Sequence, residues 1–126
     1  MMVFGVGIDL IEIERIKKSI ERFGERFLNK VFTEDEIEYS SSKGLPYQHY
    51  AARFAAKEAI AKALATPDNK GFSWHDIEIY NEKNGYPTPV LHGKVKNILG
   101  NDKEIKISIS HSENYATCVA IVYYKS

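Results

Sequence analysis

The sequence predicts an α+β domain with a mainly antiparallel sheet, packed with one long helix and several short helices. Three observations carry this. Strand-like and helix-like segments follow one another without the regular βαβ alternation that a parallel sheet needs. Asn84 and Gly85 stand between two strand-like runs, and this dipeptide favours a tight hairpin turn. Tyr47 to Ala65 has the composition of a helix, with eight alanines between Ala51 and Ala65, and so many small side chains allow close packing on a neighbour. At 126 residues, the chain has the size of one domain, residues 1–126.

From the N-terminus, Val3 to Ile11 is apolar and β-branched, with Gly5 and Gly7 inside it, and reads as a short buried strand with close backbone approach. From Glu12 onward, Ile13, Ile16, Ile20, Phe23 and Phe27 recur at three- and four-residue steps, one face of a helix, with a break expected at Gly24. Thr33 followed by Glu36 is a capping-box pattern, and Glu34, Asp35 and Glu36 place negative charge where the helix dipole favours it. A short helix therefore runs to about Ser41. Gly44, Leu45 and Pro46 interrupt the chain before the long helix, and Thr66 to Ser73, with Pro67, Asp68, Asn69 and Gly71, reads as a loop. Ile77 to Tyr80 alternates like a strand, a return strand lies near Val90, and Lys94 to Leu99 forms a short helix. Glu104 to Ser110 and Ala116 to Tyr124 close the domain as strands. The last is apolar at successive positions, so both its faces need cover: it is central in the sheet or lies at a subunit contact.

Composition removes several classes of function. Seventeen basic and seventeen acidic residues leave no net charge, and so no global field of the kind a non-specific nucleic-acid binder uses. A lone cysteine, Cys118, excludes an internal disulfide and a thiolate metal cluster, and its apolar strand suits a small core residue. No apolar stretch has the length of a membrane span, and the N-terminus lacks the basic start and cleavage site of a secretory signal, so a cytoplasmic location is expected. His49, His75 and His92 are not spaced as zinc partners, and no glycine-flanked serine of the nucleophile-elbow type occurs.

Four features could carry chemistry. Gly5-Val6-Gly7-Ile8-Asp9 ends a glycine-containing strand on an acid, which suits a metal or phosphate, or equally a solvated aspartate or a helix cap. Phe54, Glu58 and Lys62 recur every four residues on one side of the long helix, where a ligand lying along it meets all three. The alternative there is an ion pair between Glu58 and Lys62, although a carboxylate on a packed, alanine-rich helix needs a partner. His111 follows Ile107-Ser108-Ile109-Ser110 at a strand end, where an imidazole and hydroxyls could contact phosphate, or it is simply exposed. Arg15, Lys18, Arg22 and Arg26 line one face of the first helix, either as a solvated face balanced by Glu14, Glu21 and Glu25 or as a ridge for a small acidic protein.

GVGID (Gly5–Asp9), RFAAKEAIAKA (Arg53–Ala63) and ISISHS (Ile107–Ser112), with WHDIEI and NGYP between the last two, resemble the holo-acyl-carrier-protein synthase family, the short 4′-phosphopantetheinyl transferases, over nearly the whole chain. The resemblance implies transfer of 4′-phosphopantetheine from coenzyme A to a serine of apo-acyl carrier protein, with 3′,5′-ADP released, for fatty acid biosynthesis. It also implies magnesium (Mg2+) held by Asp9 and Glu58, with Glu58 and Lys62 serving catalysis. By the same resemblance, Arg53, Phe54, Lys62 and His111 contact coenzyme A, Gly85 and Pro87 form the turn beside the nucleotide, and Arg15 and Arg22 meet the acidic helix of the carrier protein. Members of the family are typically homotrimers with the coenzyme between neighbouring subunits. The chain departs from the family pattern over Ala65 to Gly71, where a glycine-rich loop is frequent, and at Ala52, where glycine is frequent.

Overall fold

The apolar closing strand is the middle of the main sheet. In a computed structural model, which describes residues 1–64 and 73–126, the order is β1 (Val3–Glu12), α1 (Ile13–Phe23), α2 (Glu25–Val31), α3 (Glu34–Ser41), α4 (Pro46–Ala63), β2 (Ile77–Asn81), β3 (Pro87–Leu91), α5 (Gly93–Leu99), β4 (Lys103–His111) and β5 (Tyr115–Tyr124). β5 pairs antiparallel with β1 on one side and β4 on the other, while β2 and β3 form a separate antiparallel hairpin. The α+β class and antiparallel pairing read from the sequence are those observed. The loop expected from Thr66, and the departure over Ala65 to Gly71, lie outside the described residues except for Ser73.

α4 is the spine of the molecule. Pro46 opens it at a position where its missing N–H costs no helical hydrogen bond. Ala51, Ala52, Ala55, Ala56, Ala59, Ala61 and Ala63 are all buried along it, so the helix presents almost no side-chain thickness to its neighbours. β1 lies directly against this smooth surface. A Cβ added at Gly5 would stand 2.0 Å from the carbonyl oxygen of Ala63, and one at Gly7 would stand 2.0 Å from that of Ala59. Strand and helix thus touch backbone to backbone. The close approach expected at these glycines is therefore to α4 rather than to a ligand, and it carries Asp9, two residues on, to the α4 surface.

The remaining elements follow from local signals. Gly24 takes a positive φ of 57° and breaks the first amphipathic run into α1 and α2. The capping box at α3 is present: Thr33 Oγ1 accepts from the Glu36 N–H at 3.2 Å and Glu36 Oε1 accepts from the Thr33 N–H at 2.8 Å. On β5, Ala116, Cys118, Ala120 and Val122 are buried. Burial pushes the Cys118 thiol up to about 12, as befits an inert core residue. The opposite face of the sheet is open: Val6, Ile8 and Leu10 of β1 are 59%, 64% and 64% exposed, beside half-buried Val119 and Ile121 of β5. Among the described residues no helix is long and apolar enough to cross a membrane.

Candidate active site

The glycine contact sets the first cluster. Lys62, on the last turn of α4, places Nζ 3.1 Å from Asp9 Oδ1 and donates to the Ile8 carbonyl oxygen at 3.0 Å. Thr117 Oγ1 of β5 donates to the Asp9 carbonyl oxygen at 2.7 Å, so the backbone that carries this acid is held from both sides. Glu58 stands one turn before Lys62 and is half-buried. Burial, and secondarily the Asp9 carboxylate, hold the Glu58 carboxyl above the usual carboxylate range against the pull of Lys62. The pair on Lys62 is thus formed with Asp9, from a different element, and the i to i+4 alternative is not the one realised.

Two carboxylates that repel one another beside an exposed ammonium are a site short of positive charge. Among the described residues no group of three histidine, cysteine or acidic side chains converges to hold a metal. Asp9 and Glu58 nevertheless fit magnesium, which is usually bound by one or two carboxylates, with substrate phosphates and waters completing its shell.

A second cluster lies farther back along α4, in a cleft of about 370 Å³. Arg53, His111, Gly85 and Pro87 all line it, with Asn81, His49, Tyr39 and Tyr86. Arg53 is 3% exposed, its Nη1 donates to the His49 carbonyl oxygen, its Nη2 donates to Asn81 Oδ1, and its Cζ lies 4.4 Å from the centre of the Tyr39 ring. Its buried Nε has no hydrogen-bond partner. Asn81 Nδ2 in turn donates to the Gly85 carbonyl oxygen at 3.0 Å, so the hairpin tip and the guanidinium are braced by one side chain. Gly85 itself has a φ of 86°, which permits the turn.

The comparisons with known proteins bear on both clusters. The sequence model of the 4′-phosphopantetheinyl transferase superfamily matches residues 5–120, a span containing every residue of the two clusters. The chain belongs to this superfamily. The transferase is 45% identical over 124 residues to a holo-[acyl-carrier-protein] synthase of Koribacter versatilis, covering 96% of this chain and 98% of that protein. A synthase of the same name from Thermodesulfovibrio yellowstonii is 50% identical over 121 residues, covering 96% and 99%. In structure the transferase is similar to a Bacillus anthracis holo-(acyl-carrier-protein) synthase in complex with CoA (3′,5′-ADP), with a TM-score of 0.81, 31% identity and coverage of 99% and 100%.

Not every expected residue of the transferase joins a cluster. Phe54 stacks on Trp74, with centroids 5.1 Å apart and planes at 28°, and is not among the residues lining the Arg53 cleft. Arg15 and Arg22 are exposed on α1, neither lines the Arg53 cleft, and Arg22 lies 5.1 Å from the Phe23 ring centre. The sequence reading missed a buried ion pair: Lys57 Nζ lies 2.8 Å from Glu36 Oε1 and also donates to the Trp74 and Ile77 carbonyl oxygens. Glu36 Oε2 accepts from the Ile79 N–H at 2.8 Å. Burial pulls the Lys57 ammonium below its usual range and Glu36 opposes that pull. Removing either partner leaves an uncompensated buried charge, which costs about 3–5 kcal/mol. The pair ties α3 and α4 to β2, the strand that carries Asn81. Glu36 is legible in the sequence as a cap; its second role depends on a lysine 21 positions away and has no local signal.

Proposed function

We propose that this chain, acting as one domain over residues 1–126, transfers 4′-phosphopantetheine from coenzyme A to a serine of apo-acyl carrier protein, for fatty acid biosynthesis. The observation that carries the reading is the meeting of Asp9, Glu58 and Lys62 from two elements, which places a carboxylate pair and an ammonium at one point of the surface. Asp9 and Glu58 would hold magnesium, which would supply charge neutralisation at the diphosphate of the coenzyme. Lys62 adds a fixed cation for the charge that develops on the leaving side.

In the reaction, the carrier serine oxygen forms a bond to the phosphorus bearing pantetheine, the bond from that phosphorus to the bridging oxygen breaks, and 3′,5′-ADP leaves. No protein nucleophile is required. Burial and Asp9 raise the proton affinity of Glu58, which suits its carboxylate to take the serine proton when no other base is supplied. Arg53 and His111, with the Gly85–Pro87 turn, bind the nucleotide end, and Phe54, stacked on Trp74 outside that cleft, is assigned to the coenzyme as well. The apolar sheet face of Val6, Ile8 and Leu10 supports a homotrimer, since monomers seldom leave contiguous apolar surface uncovered. A cytoplasmic location agrees with substrates of this kind.

The test is product release. One equivalent of 3′,5′-ADP is expected for each carrier molecule modified, and none without the carrier; coenzyme A that binds and is never consumed would sink the reading in favour of a coenzyme-binding module. A separate prediction concerns Arg15 and Arg22, which we assign to carrier docking. Arg15→Glu is expected to raise the KM for carrier protein by about tenfold or more through like-charge repulsion, with the KM for coenzyme A nearly unchanged. Steady-state kinetics with each substrate varied in turn would check it, and equal effects on both constants argue against the docking assignment.

A further inference from the structure

We propose that His49 is a third phosphate-binding group of the Arg53 cleft, so that a phosphate of the coenzyme is bound there together with a proton; this rests on the coenzyme reading above. The cleft is lined by three basic residues, His49, Arg53 and His111, and no carboxylate is among its lining residues. The neighbouring cleft across Arg53 is the reverse, carrying Asp35, Glu38 and Glu78. Arg53 is almost wholly buried and its Nε has no partner, so the guanidinium has hydrogen-bonding capacity that the protein leaves unmet. An anion is the ligand that such a cleft can take.

His49 sits one turn before Arg53 on α4 and holds that side chain through its own carbonyl oxygen, at 3.3 Å from Nη1. Its ring packs edge-on against Tyr39 of α3, with centroids 5.8 Å apart and planes at 77°. Besides the Tyr39 phenol, the charged or chargeable groups acting on the imidazole are Arg53 from its own helix, Lys43 from the connection before α4, and His111 from β4. All three are basic. Burial first, and then these three neighbours, push the imidazole below its usual range, which leaves it neutral at neutral pH in the free protein.

A phosphate placed among these groups reverses the balance. It offsets the field of Arg53 and gives the imidazolium an acceptor, so the bound state favours a proton that the free state does not hold. The sign follows: His49 strengthens binding most at the acid end of the neutral range, and its contribution fades as pH rises through the bound-state value. A phosphomonoester titrates in the opposite direction, since its second proton leaves near pH ~6, so only comparison with a His49 variant isolates the imidazole.

Calorimetry of coenzyme A binding, in buffers of unlike ionisation enthalpy from about pH 6 to about pH 8.5, tests this with wild type, H49Q and H49F; the phenylalanine keeps the ring contact with Tyr39. Both variants are expected to weaken coenzyme A by about tenfold at the acid end and to take up fewer protons on binding, with the difference shrinking at the alkaline end. The same titrations with 3′-dephospho-coenzyme A locate the phosphate: an effect that disappears assigns His49 to the 3′-phosphate, and one that persists assigns it to the diphosphate. Variants that match wild type in affinity and proton uptake with both ligands overturn the role of His49 and leave the coenzyme reading standing. Failure of wild type to bind coenzyme A overturns both.

Discussion

Glu58→Gln is expected to lower turnover by at least about 10²-fold, the scale seen when a group that stabilises transition-state charge is removed, while the fold stays intact. The substitution keeps shape and hydrogen-bonding capacity but removes the charge that complements a divalent cation and the basicity that can take the serine proton. Stability should not suffer. In the folded state burial and Asp9 raise the proton affinity of Glu58, so as pH rises through the ordinary carboxylate range the unfolded form ionises first and the native state is disfavoured. A neutral amide removes that penalty. The melting temperature of the variant near neutral pH is therefore expected to equal or exceed that of wild type, and turnover is read alongside it. Full activity in this variant would sink the metal and proton-transfer assignments.

Gly7→Ala is expected to destabilise the protein by about 3 kcal/mol or more, a fall in Tm of order 10 °C, because the new Cβ would stand 2.0 Å from the Ala59 carbonyl oxygen and 2.7 Å from the Ala63 nitrogen. Both are backbone atoms within α4, so no side-chain rotation relieves the overlap and the strand must move away from the helix. Activity should fall further than folding alone explains at temperatures where the variant is native, since the same movement carries Asp9 away from Lys62. Gly44→Ala is the matched control: nothing lies within 4 Å of a Cβ built there, and little change in Tm is expected. Thermal denaturation of the two variants side by side checks the account, and a Gly7→Ala protein as stable as wild type contradicts the backbone contact.

What was legible in the sequence was what depends on near neighbours. The capping box at Thr33 and Glu36, the break at Gly24, the alanine-rich helix and the hairpin turn at Asn84 and Gly85 are local patterns, and each appears where its residues stand. The glycines of β1 announced a close approach without naming what approaches, because the identity of α4 as the contacting surface depends on the path of more than forty intervening residues. For the same reason, spacing favoured an ion pair of Lys62 with Glu58, its neighbour on the helix, whereas the tertiary fold gives Lys62 to Asp9. Family motifs supplied Arg53, Gly85, Pro87 and His111, which the fold brings to one cleft. They did not supply Lys57, although it stands inside the same motif, nor His49, whose surroundings come from the connection before α4, from α3 and from β4.

The most direct test of the central claim is the intact mass of an apo-acyl carrier protein after incubation with this chain, coenzyme A and magnesium, with a parallel sample containing a chelator. The account predicts a gain of one phosphopantetheine, absent when the acceptor serine is replaced by alanine and absent with the chelator. An unchanged carrier mass across several carrier proteins contradicts the transfer reading, and a full gain in the presence of the chelator contradicts the metal role assigned to Asp9 and Glu58.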